Sequence, residues 1–223
     1  FGNISRPKVD DINIQEQLQD KNGSVAIVTD SIADLPTDLL SKYMIHQIPL
    51  NILVGENNYL DKVTISSEDF YEAMKTAPIY PNSSLPNEIQ IKEKLEYLSQ
   101  HYDSILIVNV SSKLSGTYEA MKNASNELTE SGYSIKVIDS KVNSAAQGLL
   151  VLQAAKLADK GGSLDEIVEY LNEKIPKSEI YVALNTFRNA LNSGRLPKII
   201  GNLGIFFKLR PIISIDKEGN GSA

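Results

Sequence analysis

Short apolar strands alternate with amphipathic helices along this sequence. That pattern predicts an α/β fold: an open, mostly parallel sheet flanked by helices, with a smaller, truncated C-terminal α/β domain. Three observations carry this expectation. Ser-Ile-Leu-Ile-Val-Asn-Val at 104–110 is a near-continuous apolar run, as in a central strand covered on both faces. Val25-Ala-Ile-Val-Thr-Asp30 is a second β-branched run, and it ends in polar residues that leave the sheet. The segments between such runs carry helical periodicity and recognisable caps.

Residues 1–23 are polar, lack a core run and end in Asn22-Gly23. They read as a linker or tail, with a short docking helix around 12–19 as the alternative. The N-terminal α/β domain is expected at 24–176 and the start of the C-terminal domain at 177–223. After the first strand, Asp34-Leu35-Pro36 opens a helix with Leu39 and Leu40 on its buried side, and Asp34 is expected to cap it. A second strand follows at 45–54. Ser66 to Asp69 cap a helix that runs to about Lys75. Residues 78–86 form a Pro-, Asn- and Ser-rich break. A helix at 87–100 then places Ile91, Leu95 and Leu98 on one face.

The strand at 104–110 leads into a loop at 111–115, a helix to about 131 and a strand at 134–139. The helix at 143–160 is rich in Ala with Gly148, which suits close packing. Ser163 with Glu166 forms a capping box for a helix at 163–174. A strand at 179–184, a short helix at 186–193 and a strand within 206–216 complete the pattern. The turn at 217–221 has no strand after it, and this is the basis for reading the second domain as incomplete.

Composition narrows the function. The 223 residues contain no Cys and two His, with a net charge of -6. Disulfides and thiolate metal sites are excluded, and a site built on several histidines is impossible. His46 and His101 read as structural or surface residues. The acidic balance disfavours nucleic acid as a partner. No apolar run approaches the ~18 residues of a membrane span, and no basic-then-apolar signal segment opens the chain. A cytoplasmic location is expected.

In open α/β sheets, ligands bind beyond the carboxyl ends of the strands. The sharpest loop there is Ser111-Ser-Lys-Leu-Ser-Gly-Thr-Tyr118. Ser115, Gly116 and Thr117 lie at a helix start, where free N–H groups and the helix dipole favour an anion. A hydroxyl adds a side-chain donor, and Gly116 allows close approach. The alternative is that Ser115 or Thr117 merely caps the helix. Pro81-Asn-Ser83-Ser84-Leu85-Pro86 presents two more hydroxyls, and Ser193-Gly-Arg195 offers a cation. Asp30 is suited to organising neighbouring loops by accepting backbone hydrogen bonds. No Gly-x-x-x-x-Gly-Lys-Ser/Thr, Gly-x-Gly-x-x-Gly or Gly-x-Ser-x-Gly pattern occurs. No catalytic residue and no metal ligand is assigned.

Four segments together resemble the DegV family: 28–36 (Val-Thr-Asp-Ser-Ile-Ala-Asp-Leu-Pro), 81–86, 111–118 and 193–195. The resemblance implies a two-domain α/β protein that is not an enzyme. It would bind a long-chain fatty acid by its carboxylate and need no cofactor. It also implies a bacterial carrier that presents the acyl chain to a dihydroxyacetone-kinase-like fatty-acid kinase, which makes acyl phosphate for phospholipid synthesis. Carried over by motif, Ser115 donates to the carboxylate, Ser83 stands where the family usually has Thr, and Arg195 lies near the head group or the partner surface. Leu85 replaces a usual Gln. Residues 6–15 resemble a linker that follows a kinase-like domain, so a fusion with such a domain is a further expectation. The competing reading is a phosphotransferase or hydrolase at the same anion site, with Asp30 as base.

Overall fold

The computed structural model describes residues 24–185 and 212–222. The expected tail and docking helix at 1–23, the helix at 186–193 and Arg195 lie outside the described residues.

The central sheet contains β1 (Val25–Asp30), β2 (His46–Ile48), β6 (Ser104–Asn109) and β7 (Ser134–Asp139), in the order β2-β1-β6-β7. All its pairings are parallel, with Val28 opposite Ile107 and Ile107 opposite Val137. Side chains alternate between its two faces, as the two-residue period of a strand requires. Val25, Ile27, Leu106, Val108 and Ile138 point to one face. They pack against α5 (Ser144–Asp159) and α6 (Leu164–Lys174), through Val151, Ala154, Ile167 and Leu171. Ala26, Val28, Ile105, Ile107 and Ile135 point to the other. There they meet Ile91, Leu95 and Leu98 of α3 (Glu88–Ser99) and Met121, Ala124 and Leu128 of α4 (Thr117–Glu130). Two covered faces explain why β1 is buried at every position.

Helix ends follow the capping residues. Ser66 caps α2 (Ser67–Thr76) by accepting the Asp69 N–H, Asn87 caps α3, and the Ser163/Glu166 box caps α6. The glycine in α5 has a packing reason. A Cβ at Gly148 would lie 2.6 Å from the Asp34 carbonyl oxygen.

Several expectations need correction. Asp34 does not cap α1 (Thr37–Lys42): Pro36 is the N-cap and makes no side-chain cap bond. The Asp34 carboxylate instead binds Lys62 at 2.8 Å and the Ser144 hydroxyl at 2.5 Å. It ties two distant segments to the loop after β1. The single strand expected at 45–54 is two strands in different sheets. Pro49 interrupts the ladder, and the Leu50 N–H turns to the Ser31 hydroxyl at 3.1 Å. Beyond the break, β3 (Asn51–Val54) sits between β4 (Asn57–Leu60) and β5 (Asn82–Ser84) in an antiparallel sheet. Thus part of the presumed break at 78–86 is a strand. The turn near 217–221 does have a strand after it. Gly221–Ser222, β10, pairs with β9 (Ile212–Ile215), which pairs with β8 (Tyr181–Ala183). The smaller C-terminal sheet is antiparallel over its described residues.

A buried carboxylate joins the layers. Asp30, wholly inaccessible, accepts from the Ile32 and Val110 N–H groups at 3.0 and 2.8 Å. It also accepts from the Asn109 and Gln147 amides at 3.0 and 3.1 Å. The amide NH2 groups face the charge, which leaves the Asn109 and Gln147 oxygens buried without a partner among the described residues. Organising loops is therefore what Asp30 does.

Two stability effects follow. Asp30→Ala removes the acceptor of four donors, three of them in buried hydrogen bonds, so a loss of about 3–5 kcal/mol is expected in urea unfolding. A loss below about 1 kcal/mol would show that the network is dispensable. The second concerns His46, which lies edge-on to Tyr102 with ring centroids 5.8 Å apart. Burial, with the nearby Lys94 charge, lowers its pKa to about 4. The folded state then resists a proton that the unfolded chain accepts near 6.5. Its contribution is complete above that pH and is lost as pH falls towards 4, by up to about 3 kcal/mol. His46→Phe should remove this part of the acid sensitivity. Parallel pH–stability curves for the two proteins would refute the assignment.

Candidate functional site

The chain reverses its direction of winding between β1 and β6. From β1 it moves outward to β2, and from β6 it moves the opposite way to β7. The loops after β1 and β6 therefore flank a crevice at the carboxyl end of the sheet, the place where such sheets take ligands. Of the residues picked out from the sequence for anion binding, Ser115, Gly116 and Thr117 lie between β6 and α4 or at the start of α4.

Ser115 is half-buried, Gly116 exposed and Thr117 fully buried. Gly116 is the N-cap of α4 and supplies no side-chain cap. The Ser115 hydroxyl accepts the Thr117 N–H at 3.2 Å and lies 2.8 Å from the Thr117 hydroxyl. The capping alternative therefore holds in part: a Ser115 lone pair accepts the first N–H of the helix. The first-turn N–H groups of Tyr118 and Glu119 find no acceptor among the described residues. Either hydroxyl of the Ser115–Thr117 pair can donate to the other, and when Thr117 donates, the Ser115 proton is free for a ligand. The result is a cluster of neutral donors at the positive end of a 14-residue helix.

Ser83 and Ser84 sit on β5, opposite Ile52 and Asn51, and are exposed. Their strand reaches the loop after β6 through Leu85. A Cβ at Gly116 would lie 3.4 Å from a Leu85 methyl carbon, an ordinary contact distance. The Asn51 amide holds the Leu85 carbonyl at 2.7 Å. The two hydroxyl-bearing loops, 30 residues apart in sequence, therefore share one edge of the molecule. Asn51 escaped the sequence reading because its role depends on the β3–β5 pairing, which the period of the sequence does not signal. Arg195 lies outside the described residues.

Asp30 stands behind this edge and not in it. Its oxygens are fully engaged and inaccessible, so it has no access to a ligand. His101 is half-buried and bonds the Tyr97 carbonyl at 2.8 Å, a structural contact within the C-terminal turn of its helix. A cavity of about 260 Å³ opens at the opposite end of the sheet, lined by Val25, Ile27, Tyr43, Met44, Ala155 and Ala158. It is remote from Ser115. Among the described residues no group of three or more acidic or histidine side chains could hold a metal, and no helix is long and apolar enough to cross a membrane.

Known proteins share this architecture. Residues 24–222 match the family described as "Uncharacterised protein, DegV family". A DegV domain-containing protein of Clostridium acetobutylicum is 32% identical over 200 residues, covering 87% of this chain and 69% of that protein. Among solved structures, a DegV family protein from Thermus thermophilus described by its fatty acid binding superimposes with a TM-score of 0.79 at 26% identity. That match covers 90% of this chain and 70% of the other. A stearic-acid-binding protein from Eubacterium ventriosum gives a TM-score of 0.78 at 26% identity, covering 89% of this chain and 69% of the other. With the match running through nearly the whole described sheet system, the chain belongs to the DegV family.

Proposed function

We propose that this protein binds a long-chain fatty acid, with the carboxylate held at the start of α4 by the Ser115 hydroxyl and the adjacent N–H groups. The observation that carries this reading is the start of α4: a half-buried Ser115 hydroxyl paired with buried Thr117 lies beside first-turn N–H groups that have no acceptor among the described residues. Neutral donors and a helix dipole suit a single carboxylate, which needs hydrogen bonds more than a counter-charge. The structural relatives described by their fatty acid binding support the choice of anion. Ser83 and Ser84 extend the polar rim, Gly116 lets the head group approach the backbone, and Leu85 offers apolar surface next to it. Arg195 would face the head group or a protein partner.

In this reading the protein is a carrier and not a catalyst. It presents the acyl carboxylate to a dihydroxyacetone-kinase-like fatty-acid kinase, separate or fused, for acyl phosphate formation. The competing enzyme reading needs a base at the anion site. Asp30 was its candidate, and the saturation of both Asp30 oxygens counts against it.

Organic extraction of purified protein, followed by mass spectrometry, is expected to release a long-chain fatty acid in near-stoichiometric amount. Its absence, together with no uptake of added palmitate, would refute the carrier reading. Ser115→Ala should weaken palmitate binding by about 1–3 kcal/mol, the cost of one lost charge-assisted hydrogen bond. Wild-type affinity in that variant would place the head group elsewhere.

A further inference from the structure

The C-terminal hairpin reaches back to the loop after β6 through one residue, Ser111. This serine is inaccessible to solvent, and all of its polar atoms are in use. Its hydroxyl donates to the Gly219 carbonyl at 2.7 Å and accepts the Lys113 N–H at 3.2 Å. Its N–H goes to the Val142 carbonyl at 2.9 Å. Its own carbonyl accepts from Leu114 at 3.0 Å and from Ser115 at 3.2 Å. Ser115 therefore hangs directly from Ser111, and Ser111 is held from outside by Gly219.

The turn that carries Gly219 is built to keep that contact. Asp216 accepts the Glu218 and Asn220 N–H groups at 3.0 and 2.8 Å, and its own N–H bonds the Asn220 carbonyl at 2.9 Å. Gly219 adopts φ +96°, a conformation that side-chain-bearing residues rarely take. A Cβ there would lie 2.3 Å from the Ser111 hydroxyl and 3.4 Å from the Lys141 Cα. The neighbouring loop joins the same knot, since Asp139 accepts both the Ser112 and the Lys141 N–H groups. A turn located 108 residues from Ser111 is thus keyed to the loop's geometry, and nothing larger than glycine fits.

We propose that the turn at 216–220 positions the anion-binding loop, so that Ser111 and Gly219 set the affinity for the fatty-acid carboxylate without touching it. They are positioning residues, and their role rests on the carrier reading above. The latch holds Ser111, Ser111 holds Ser115, and the donor cluster at the start of α4 stays aligned. Coupling of this kind is reciprocal: if the latch strengthens ligand binding, the ligand must strengthen the latch by the same factor. A contact that only stabilises the fold gains no more from the ligand than the rest of the folded chain does, and removing it leaves the affinity unchanged.

The test uses the whole chain with palmitate as the probe. Ser111→Ala and Gly219→Ala are each expected to weaken palmitate binding about ten-fold. Asp216→Ala loosens the turn from its far side, leaves the central sheet untouched and should weaken binding in the same direction. It decides the matter should Ser111→Ala fail to fold. In the wild-type protein, palmitate should slow amide hydrogen exchange across 216–222, and in Ser111→Ala that protection should vanish. Wild-type affinity in the folded variants, or turn exchange indifferent to palmitate, would overturn the latch while leaving fatty-acid binding standing. A wild-type chain that binds no palmitate would overturn both.

Discussion

The structure depends on burying the Asp30 carboxylate. An unpaired charge in a protein interior is prohibitively costly, so it survives there only when hydrogen-bond donors surround it. Here the donors come from its own loop, from the end of β6 and from α5. These three pieces must therefore be in register before the charge can be enclosed. The constraint links the two strands at the centre of the sheet to a helix on one face. It also sets the path of the chain at Val110, one residue before the loop that carries the donor cluster. A polar residue deep in an apolar sheet thus defines where the donor-bearing edge begins.

From that anchor the site is assembled by successive contacts between loops. The parallel order β2-β1-β6-β7 puts the carboxyl ends of β1 and β6 side by side. The antiparallel sheet of β3, β4 and β5 brings Leu85 over Gly116, and Lys62 clamps the loop after β1 through the Ser31 carbonyl and Asp34. The turn at 216–220 closes on the Ser111 side. Each contact is short-ranged and specific, yet the partners are far apart in sequence. Among the described residues the donor cluster has no salt bridge of its own, which suits a neutral cradle for one carboxylate.

The central sheet was legible because its strands obey simple rules. Continuous burial at 25–30 and 105–109 leaves an apolar run that little else explains, and the helix caps at Ser66, Asn87 and Ser163 use side chains with a known reason to be there. Asp34 misled because a carboxylate before a helix usually caps it, whereas here Lys62 and Ser144 offered better partners across the fold. The strand at 45–54 misled because Pro49 splits an otherwise continuous pattern between two sheets. Residues 82–84 hid as a loop because Asn-Ser-Ser has no strand period, and only pairing with β3 makes it a strand. The two residues after the final turn are too few to show any period at all.

The sequence by itself determined the α/β class, the helix starts, the donor-rich segment 111–118 and the family to which its motifs point. Those features arise from local periodicity, capping chemistry and short-range backbone demands, which neighbouring residues impose on one another. Only the tertiary structure decided which donors enclose Asp30, that Leu85 lies beside Gly116, that Thr117 turns inward and pairs with Ser115, and that Gly219 locks onto Ser111. Apart from Ser115 with Thr117 and Ile32 with Asp30, each two positions apart, those pairings join residues 31 to 117 positions apart. Their partners are chosen by close packing and by the need to satisfy buried polar groups, and no periodicity along the chain encodes that choice.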